Sequence, residues 1–333
     1  MSDSGNLSDD VVDRWYNQNL AVRATDADRD HDAELREARC KIEQLDSDFV
    51  KARGLVFLDS MTAARQMIVM PLSILLLPYF QATSGLVERK GAFTEFLIEA
   101  VANRLRSGKC ENQGPRKKGH GEWGAELLRS IKNEDDSQLE KTIESIVKAI
   151  LKERPEIISW YDGLFELALC SCWTSYEILC GDLWEDFVNS SIHAARNVCK
   201  VESSSKESKK FDLSDLFDYD LDLSDKMGSY LKERFKFTGT AQIDSAFRIA
   251  FGEKPIKYIN IHEKTLFQVE QKRHLYMHKG GLVDKEFKRK TTSSLPIGHK
   301  LRLTAHELSD DMGAIFQEGM CLLERTDSWL RKH

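Results

Sequence analysis

The fold is decided by residues 165–187, which read FELALCSCWTSYEILCGDLWEDF. Large apolar residues recur in this stretch at intervals of three and four, and further apolar residues occupy its other faces. The interval is that of an α-helix, and a helix that is apolar on most faces is buried on most sides. We therefore predict a helix that forms the centre of a helical bundle or lies at a dimer interface.

Two carboxylates, Glu177 and Asp182, interrupt this apolar helix. Taking an unpaired carboxylate out of water is unfavourable, so each of them needs a charged or hydrogen-bonding partner. The partner that we expect is an arginine from another helix. Both residues are therefore candidates for a supporting role in a polar site.

The rest of the chain carries further amphipathic patterns, without a convincing strand alternation or an internal repeat. We predict an all-α fold, a helical bundle with an additional helical N-terminal region. We expect three parts, which are a loosely ordered terminus over 1–30, a helical region of unknown role over 31–154, and a helical domain over 155–333. Helices are predicted within 35–49, 55–106, 139–150, 226–251, 256–279 and 308–323.

Three segments allow more than one interpretation. Residues 1–30 are polar, and their only anchors are Val11, Val12, Trp15 and Tyr16. Residues 35–49 form an amphipathic seam, which packs on its own chain or receives a regulatory protein partner. The polar insertion at about 201–225 is a surface insertion or a lid.

Composition and charge favour a cytoplasmic protein. The chain has 333 residues, a net charge of −6 and seven cysteines, an odd number that favours reduced thiols. Cys170, Cys172 and Cys180 could be zinc ligands, but no second cluster has the right spacing, so we predict buried small hydrophobes and no metal. Residues 66–87 are uncharged and long enough to span a bilayer, yet two prolines and a polar end favour a buried helix or helix pair and no membrane contact.

Positive charge is concentrated late in the chain. Residues 271–290 hold seven Lys and Arg against two acids, and a polyanion would meet this patch rather than the acidic average. A second basic segment, 109–124, either touches RNA or is a solvated loop. The candidate RNA-binding residues are Lys272, Lys279, Lys285, Lys288 and Arg289.

The patch overlaps residues 270–284, which read EQKRHLYMHKGGLVD. Arg273 and His278 form an R-x4-H pattern, and the polar His274 directly follows the arginine. An arginine presents a fork suited to phosphate oxygens, and a histidine moves a proton near neutral pH. Together they suffice to cleave RNA without a metal, because the base takes the ribose 2′-hydroxyl proton while the arginine stabilises charge on the phosphate.

Neighbouring positions add conditions to this interpretation. Glu270 could orient Arg273 or His274, which follow it by three and four residues. The helical period places Arg273 at the edge of a packed seam, where a cleft between helices or between two subunits would lie. The same pattern also occurs by chance, and its histidines are then ordinary surface residues beside a solvated basic face.

The sequence RHLYMHKGGLVD resembles the signature of HEPN domains (higher eukaryotes and prokaryotes nucleotide-binding). The aromatic helix over 173–187 is similar to the first long helix of bacterial members, and the last helix follows in the expected place. The resemblance covers roughly residues 155–330 and does not extend to residues 1–150. The hallmark of the family is an arginine, a polar residue, three further residues and a histidine, which Arg273, His274 and His278 match. A Gly-Gly pair and an aspartate often follow it, and Gly280, Gly281 and Asp284 match these.

The resemblance implies a helical bundle that dimerises, so that two R-x4-H motifs form one composite site. Many relatives are metal-independent endoribonucleases of toxin–antitoxin and antiphage abortive-infection systems, and they need no cofactor. His278 is then expected to transfer the proton, Arg273 to bind the scissile phosphate and His274 to support both, on single-stranded or structured RNA such as tRNA. Other relatives are inactive, so a non-catalytic adaptor or RNA-binding module is the alternative function.

Overall fold

The computed structural model describes residues 9–19, 27–84, 144, 147–148, 151–152, 154–204, 217–253, 263–291 and 293–333. These ranges hold helices and no strand, which confirms the all-α prediction. The helices are α1 (Asp9–Asn19), α2 (Ala27–Glu43), α3 (Asp48–Ser84), α4 (Glu156–Ser190), α5 (Ile192–Ser204), α6 (Met227–Lys232), α7 (Thr240–Phe251), α8 (Glu263–Lys279), α9 (Lys285–Thr291) and α10 (Ala305–Leu330).

The chain divides into two compact units, and several helices contribute residues to both. This division differs from the boundary predicted near residue 154, because part of α2 and α3 belongs to the same unit as most of the C-terminal half. The first unit comprises Met1–Arg36, Arg65–Ala168 and Arg302–Ser309, and the second comprises Glu37–Ala64, Leu169–Leu301 and Asp310–His333.

In the first unit, α1 is anchored through its apolar face. Val12, Trp15 and Tyr16 are buried, and the Trp15 ring packs edge-on against Tyr161 with 5.5 Å between centroids. These anchors were visible in the sequence, but the loosely ordered terminus predicted around them differs from the helix that the structure contains. Burial of one apolar face stabilises a short helix whose polar remainder, taken alone, indicates disorder.

In the second unit, the aromatic part of α4 is buried on most sides, as predicted. Trp173, Trp184 and Phe187 are each 0% exposed. The Phe187 ring lies 5.1 Å from that of Phe251 in α7 and 4.9 Å from that of Trp329 in α10, measured between centroids. This stretch of α4 is therefore the helix around which the second unit packs.

The helix predicted over 226–251 is wrong in one respect, because the structure breaks it into α6 and α7. Phe235 and Phe237 lie in the break and both pack against Trp184, with ring centroids 4.8 and 5.6 Å away. Side chains two residues apart point the same way only from an extended backbone, so these two contacts favour an interruption of the helix.

Several predictions fall wholly or partly outside the described residues. The basic segment 109–124 does so entirely, as do residues 205–216 of the insertion and residues 256–262 at the predicted start of α8. The uncharged stretch 66–87 is described as far as Ser84, within α3. Among the described helices, none combines the length and the apolar content that crossing a membrane requires.

Candidate active site

The candidate site lies at the C-terminal end of α8, and all of its described residues belong to the second unit. The helix ends at Gly280 and Gly281, whose φ angles are +59° and +78°. Glycine adopts this left-handed conformation without the steric strain that a Cβ atom causes, so the pair ends the helix as predicted.

The glycine turn is hydrogen-bonded to residues 299–301, which precede α10. The backbone N–H of Leu301 donates to the carbonyl of Gly281 at 2.8 Å, and the N–H of Val283 donates to the carbonyl of His299 at 2.9 Å. An isolated antiparallel bridge joins Leu282 to Lys300. Val283 also packs with Leu275 and Phe287 in a small apolar cluster, so the end of α8 is held from outside the helix as well as from within it.

Two imidazoles stand side by side on the exposed face of this helix end. The ring centroids of His274 and His278 are 4.7 Å apart with an interplanar angle of 51°, and both side chains are exposed. Residues four apart lie on one face of an α-helix, which is why the two rings meet. Both rings are therefore accessible to solvent and to a bound ligand.

Arg273 is the more enclosed member of the motif, with 21% of its side chain exposed. Its Nη2 lies 3.4 Å from Oε2 of Glu177 on α4, as the sequence predicted for a carboxylate on that helix. Leu266, Val269 and Tyr276 are buried, so Arg273 does lie at the edge of a packed seam. Met277, which follows Tyr276 on the same helix, is by contrast 58% exposed.

Glu177 has a second partner, which the sequence analysis missed. Its Oε1 accepts a hydrogen bond of 2.6 Å from Nε1 of Trp173, one turn earlier on α4. Burial raises the pKa of Glu177 above its ordinary value, the Trp173 hydrogen bond and the charge of Arg273 oppose that rise, and the nearby Glu270 adds to it. The spacing of four residues between Trp173 and Glu177 was a signal that could have revealed this contact.

The carboxylate of Glu270 meets a partner other than the predicted Arg273 or His274. Its Oε2 accepts hydrogen bonds from the backbone N–H and the hydroxyl of Thr240, at 2.9 and 2.7 Å. Thr240 begins α7, and the preceding N-cap residue is Gly239, which has no side chain to accept from the first N–H groups. Glu270 therefore supplies the helix cap from α8 instead of orienting Arg273 or His274.

Asp182 also has structural partners. Its Oδ2 accepts from Arg53 at 3.0 Å and its Oδ1 from Lys232 at 3.0 Å, while Arg53 also binds Asp186 and Lys232 also binds Glu185. An arginine partner from another helix was expected, and Arg53 of α3 is that partner. The described contacts of Asp182 thus lie in a network that joins α3, α4 and α6, apart from the pair formed by Arg273 and Glu177.

The predicted RNA-binding residues fall into two groups. Lys272 binds Asp311 of α10 at 2.6 Å, and these side chains are only 19% and 6% exposed, so we expect Lys272 to hold α8 to α10 rather than to contact RNA as predicted. Lys279, Lys285 and Arg289 are exposed and Lys288 is half-buried, and none of them forms an ion pair with a described residue.

Helix α9 orients most of this second group. Asp284 accepts a hydrogen bond from the backbone N–H of Phe287 at 2.8 Å and so caps the helix. Phe287 points into the apolar cluster, which leaves Lys285 and Arg289 on the solvent side. The net-basic face predicted from the sequence is therefore present just beyond the two histidines.

The cysteines of α4 lie in the apolar interior or at its edge. Cys172 and Cys180 are 0% exposed, and burial raises the pKa of Cys172 to about 12. The described residues contain no group of three or more His, Cys, Asp or Glu side chains arranged to hold a metal ion.

The chain matches no family model, and no curated protein or solved structure shows significant similarity to it.

Proposed function

We propose that this protein is a metal-independent endoribonuclease of the HEPN type that acts in the cytoplasm as a toxin or antiphage effector. The observation that carries the proposal is the exposed pair His274 and His278, which lies beside the partly enclosed Arg273 on one helix end. This set combines two groups that transfer protons near neutral pH with one that binds a phosphate. The resemblance of the motif to HEPN domains supports the same class.

The proposed reaction is an internal transfer on RNA. His278 accepts the proton of a ribose 2′-hydroxyl, and the 2′-oxygen attacks the adjacent phosphorus. The bond to the 5′-oxygen breaks, and the protonated form of His274 gives that oxygen a proton. Arg273 stabilises the charge on the phosphate oxygens, so the products carry a 2′,3′-cyclic phosphate and a 5′-hydroxyl.

The charge distribution supports RNA as the substrate. Lys279, Lys285, Lys288 and Arg289 follow the histidines in a protein whose overall net charge is −6. A local concentration of cations attracts a polyanion even when the average charge repels it. We propose that this face holds the phosphates that flank the cleavage point, in single-stranded or structured RNA such as tRNA.

A homodimer with a composite active site belongs to the same proposal. Met277, Leu282 and Ile297 lie on or near the helix end and are 58%, 48% and 55% exposed. Large apolar side chains exposed around a polar site favour a second protein surface there. A second copy would bring a second R-x4-H motif to the first. The seam predicted over 35–49 packs on its own chain, since Ala38, Ile42 and Leu45 are buried, so it is not the surface that receives a partner.

The decisive experiment is cleavage of single-stranded RNA by purified protein in EDTA. We expect products with 2′,3′-cyclic phosphate ends from the wild type, and a rate lower by roughly 10²- to 10⁴-fold in His278→Ala, while RNA with 2′-O-methyl groups stays intact. His193→Ala is the matched control, because His193 is an exposed histidine near a second one, His333. Cleavage that requires Mg²⁺, or that proceeds at the wild-type rate in His278→Ala, would overturn the proposal.

One observation favours the alternative, a non-catalytic adaptor or RNA-binding module. Arg273 already has a carboxylate partner in Glu177, as it would if the pair only joined α8 to α4. Under this alternative, Arg273→Ala binds RNA or a protein partner as the wild type does, provided that it folds. Under the nuclease proposal, Arg273→Ala and Arg273→Lys both lose cleavage, because a lysine lacks the planar fork.

A further inference from the structure

The carboxylate of Glu177 on α4 is contacted by the indole of Trp173, on the same helix, and by the guanidinium of Arg273 on α8. Nε1 of Trp173 donates to Oε1 of Glu177 at 2.6 Å, and Nη2 of Arg273 lies 3.4 Å from Oε2. The two oxygens therefore have different partners. A carboxylate bound at one oxygen by a rigid, buried donor has little freedom to rotate, so the second oxygen presents a fixed acceptor to Arg273.

The rigidity of this arrangement comes from Trp173. Its side chain is 0% exposed, and its ring packs edge-on against Tyr176 with 5.8 Å between centroids. The indole N–H is neutral, so it stabilises the carboxylate charge without competing for the guanidinium. Trp173 thereby favours the ionised form of Glu177, which is the form that attracts Arg273.

Trp184 provides the contrast within the same helix. It is also 0% exposed, but its Nε1 donates to the backbone carbonyl of Ala246 at 3.0 Å, which is a contact that only joins α4 to α7. Both indoles fill the core. Of the two, only that of Trp173 donates to a carboxylate that contacts a residue of the R-x4-H motif.

We propose that Trp173 is a positioning residue, which fixes the guanidinium of Arg273 through Glu177. This inference rests on the proposed function for its catalytic meaning, since Arg273 must meet a scissile phosphate. The geometry itself is independent of that function. Glu177 holds the arginine by one 3.4 Å contact, so the other N–H donors of the fork remain available to a phosphate.

The charged and titratable groups that face Glu177 are few among the described residues. Arg273 and Glu270 face it from α8, and the buried thiol of Cys180 lies near it on α4. Loss of the indole N–H removes a contact made to the charged carboxylate. The pKa of Glu177 must then rise further above its ordinary value, and the arginine loses its charged partner at a higher pH.

The test compares Trp173→Phe with the matched control Trp184→Phe. The carboxyl carbon of Glu177 is followed by NMR from pH 4 to pH 9, with Glu177→Gln to assign the signal. We expect its titration to move to higher pH in Trp173→Phe and to stay in place in Trp184→Phe. We also expect Trp173→Phe to lower kcat for RNA about tenfold with little change in KM, and the loss to grow as the pH falls.

A second replacement covers the case in which Trp173→Phe does not fold. Benzothienylalanine at position 173 keeps the shape of the indole and replaces its N–H by sulfur, so it removes the donor alone. An unchanged Glu177 titration in this variant or in Trp173→Phe would overturn the proposal. An equal shift in Trp184→Phe would also overturn it, because the effect would then come from core packing.

The titration also separates this inference from the proposed function. If the wild type cleaves no RNA, the nuclease proposal fails, while the Glu177 titration still decides whether Trp173 positions the pair. If the wild type cleaves RNA and Trp173→Phe does so with an unchanged rate and pH profile, Trp173 has no positioning role and the nuclease proposal stands.

Discussion

His274 and His278 lie one turn apart on α8, and their ring centroids are 4.7 Å apart at an exposed helix end. Cleavage of RNA through the 2′-hydroxyl takes up one proton and releases another, so a reaction of this kind uses a base and an acid. The two rings are close enough to serve one phosphate. This relationship distinguishes the motif from an isolated R-x4-H spacing.

The first prediction concerns the separate roles proposed for these histidines, His278 as proton acceptor and His274 as proton donor. We expect His278→Ala to lower the cleavage rate roughly 10²- to 10⁴-fold, and His274→Ala to lower it less and to remove one limb of a bell-shaped pH–rate profile. The measurement is single-turnover cleavage of a short RNA between pH 5 and pH 9. His193→Ala is expected to keep the full rate and both limbs. A profile with both limbs intact in His274→Ala would contradict a proton-transfer role for His274.

The second prediction separates the basic residues of the site. Lys285→Gln and Arg289→Gln should each reduce the slope of log affinity against log salt by roughly 0.7 for single-stranded RNA, because each removes one phosphate contact. Lys272→Gln should leave the slope unchanged and lower the free energy of unfolding by about 2 kcal/mol, because it breaks the ion pair with Asp311.

Filter binding at several salt concentrations, with inactive His278→Ala as the background, measures the slopes. Urea unfolding measures the stability. A reduced slope in Lys272→Gln would show that this lysine reaches RNA despite its partner on α10.

The third prediction concerns the glycine turn. Gly280→Ala should destabilise the protein by about 1 kcal/mol, because an alanine at a φ of +59° is strained, although among the described residues its Cβ would meet nothing within 4 Å beyond its neighbours in the chain. Gly281→Ala should cost more, about 2–3 kcal/mol, since its Cβ would lie 3.2 Å from the Tyr276 ring and 3.3 Å from Lys300. Thermal unfolding of both variants gives the comparison. Equal losses would mean that the close approach of Tyr276 and Lys300 to position 281 adds nothing to the cost of the substitution.

The fourth prediction compares two carboxylates of α4 whose pKa values move in opposite directions. The folded pKa of Glu177 is raised above 4.5, chiefly by burial. The protonated form is therefore favoured in the folded state, and the stability that it contributes is present below about pH 4.5 and is lost as the pH rises through the folded pKa. The stability of the wild type relative to Glu177→Gln should fall as the pH rises.

Glu185 is the control with the opposite sign. Burial raises its pKa, but hydrogen bonds from Lys232 and Ser229 outweigh burial and leave the pKa below 4.5. Its stability contribution is present above about pH 4.5 and is lost as the pH falls through the folded pKa. The stability of the wild type relative to Glu185→Gln should therefore rise with pH. Urea unfolding from pH 4 to pH 8 decides both signs, and two curves of the same sign would contradict this account.

Much of the helical layout could be predicted because helices bury apolar residues at a fixed period. The buried faces of α4 and α10 follow from that rule, and the end of α8 follows from the ease with which Gly280 and Gly281 adopt a positive φ. The break between α6 and α7 could not be predicted in the same way, since it depends on Phe235 and Phe237 meeting Trp184, about fifty residues earlier in the chain. A contact of that kind leaves no periodic signal.

The sequence by itself determined the all-α class, the burial of the aromatic helix, and the clustering of an arginine, two histidines and a basic flank on one helix end. These features depend on residues close together along the chain. Only the tertiary structure decided the polar partners, because Glu270 meets Thr240, Lys272 meets Asp311 and Arg273 meets Glu177 across separations of 30, 39 and 96 residues. A buried polar group takes whichever partner the packed helices bring within reach, and packing is a property of the whole unit.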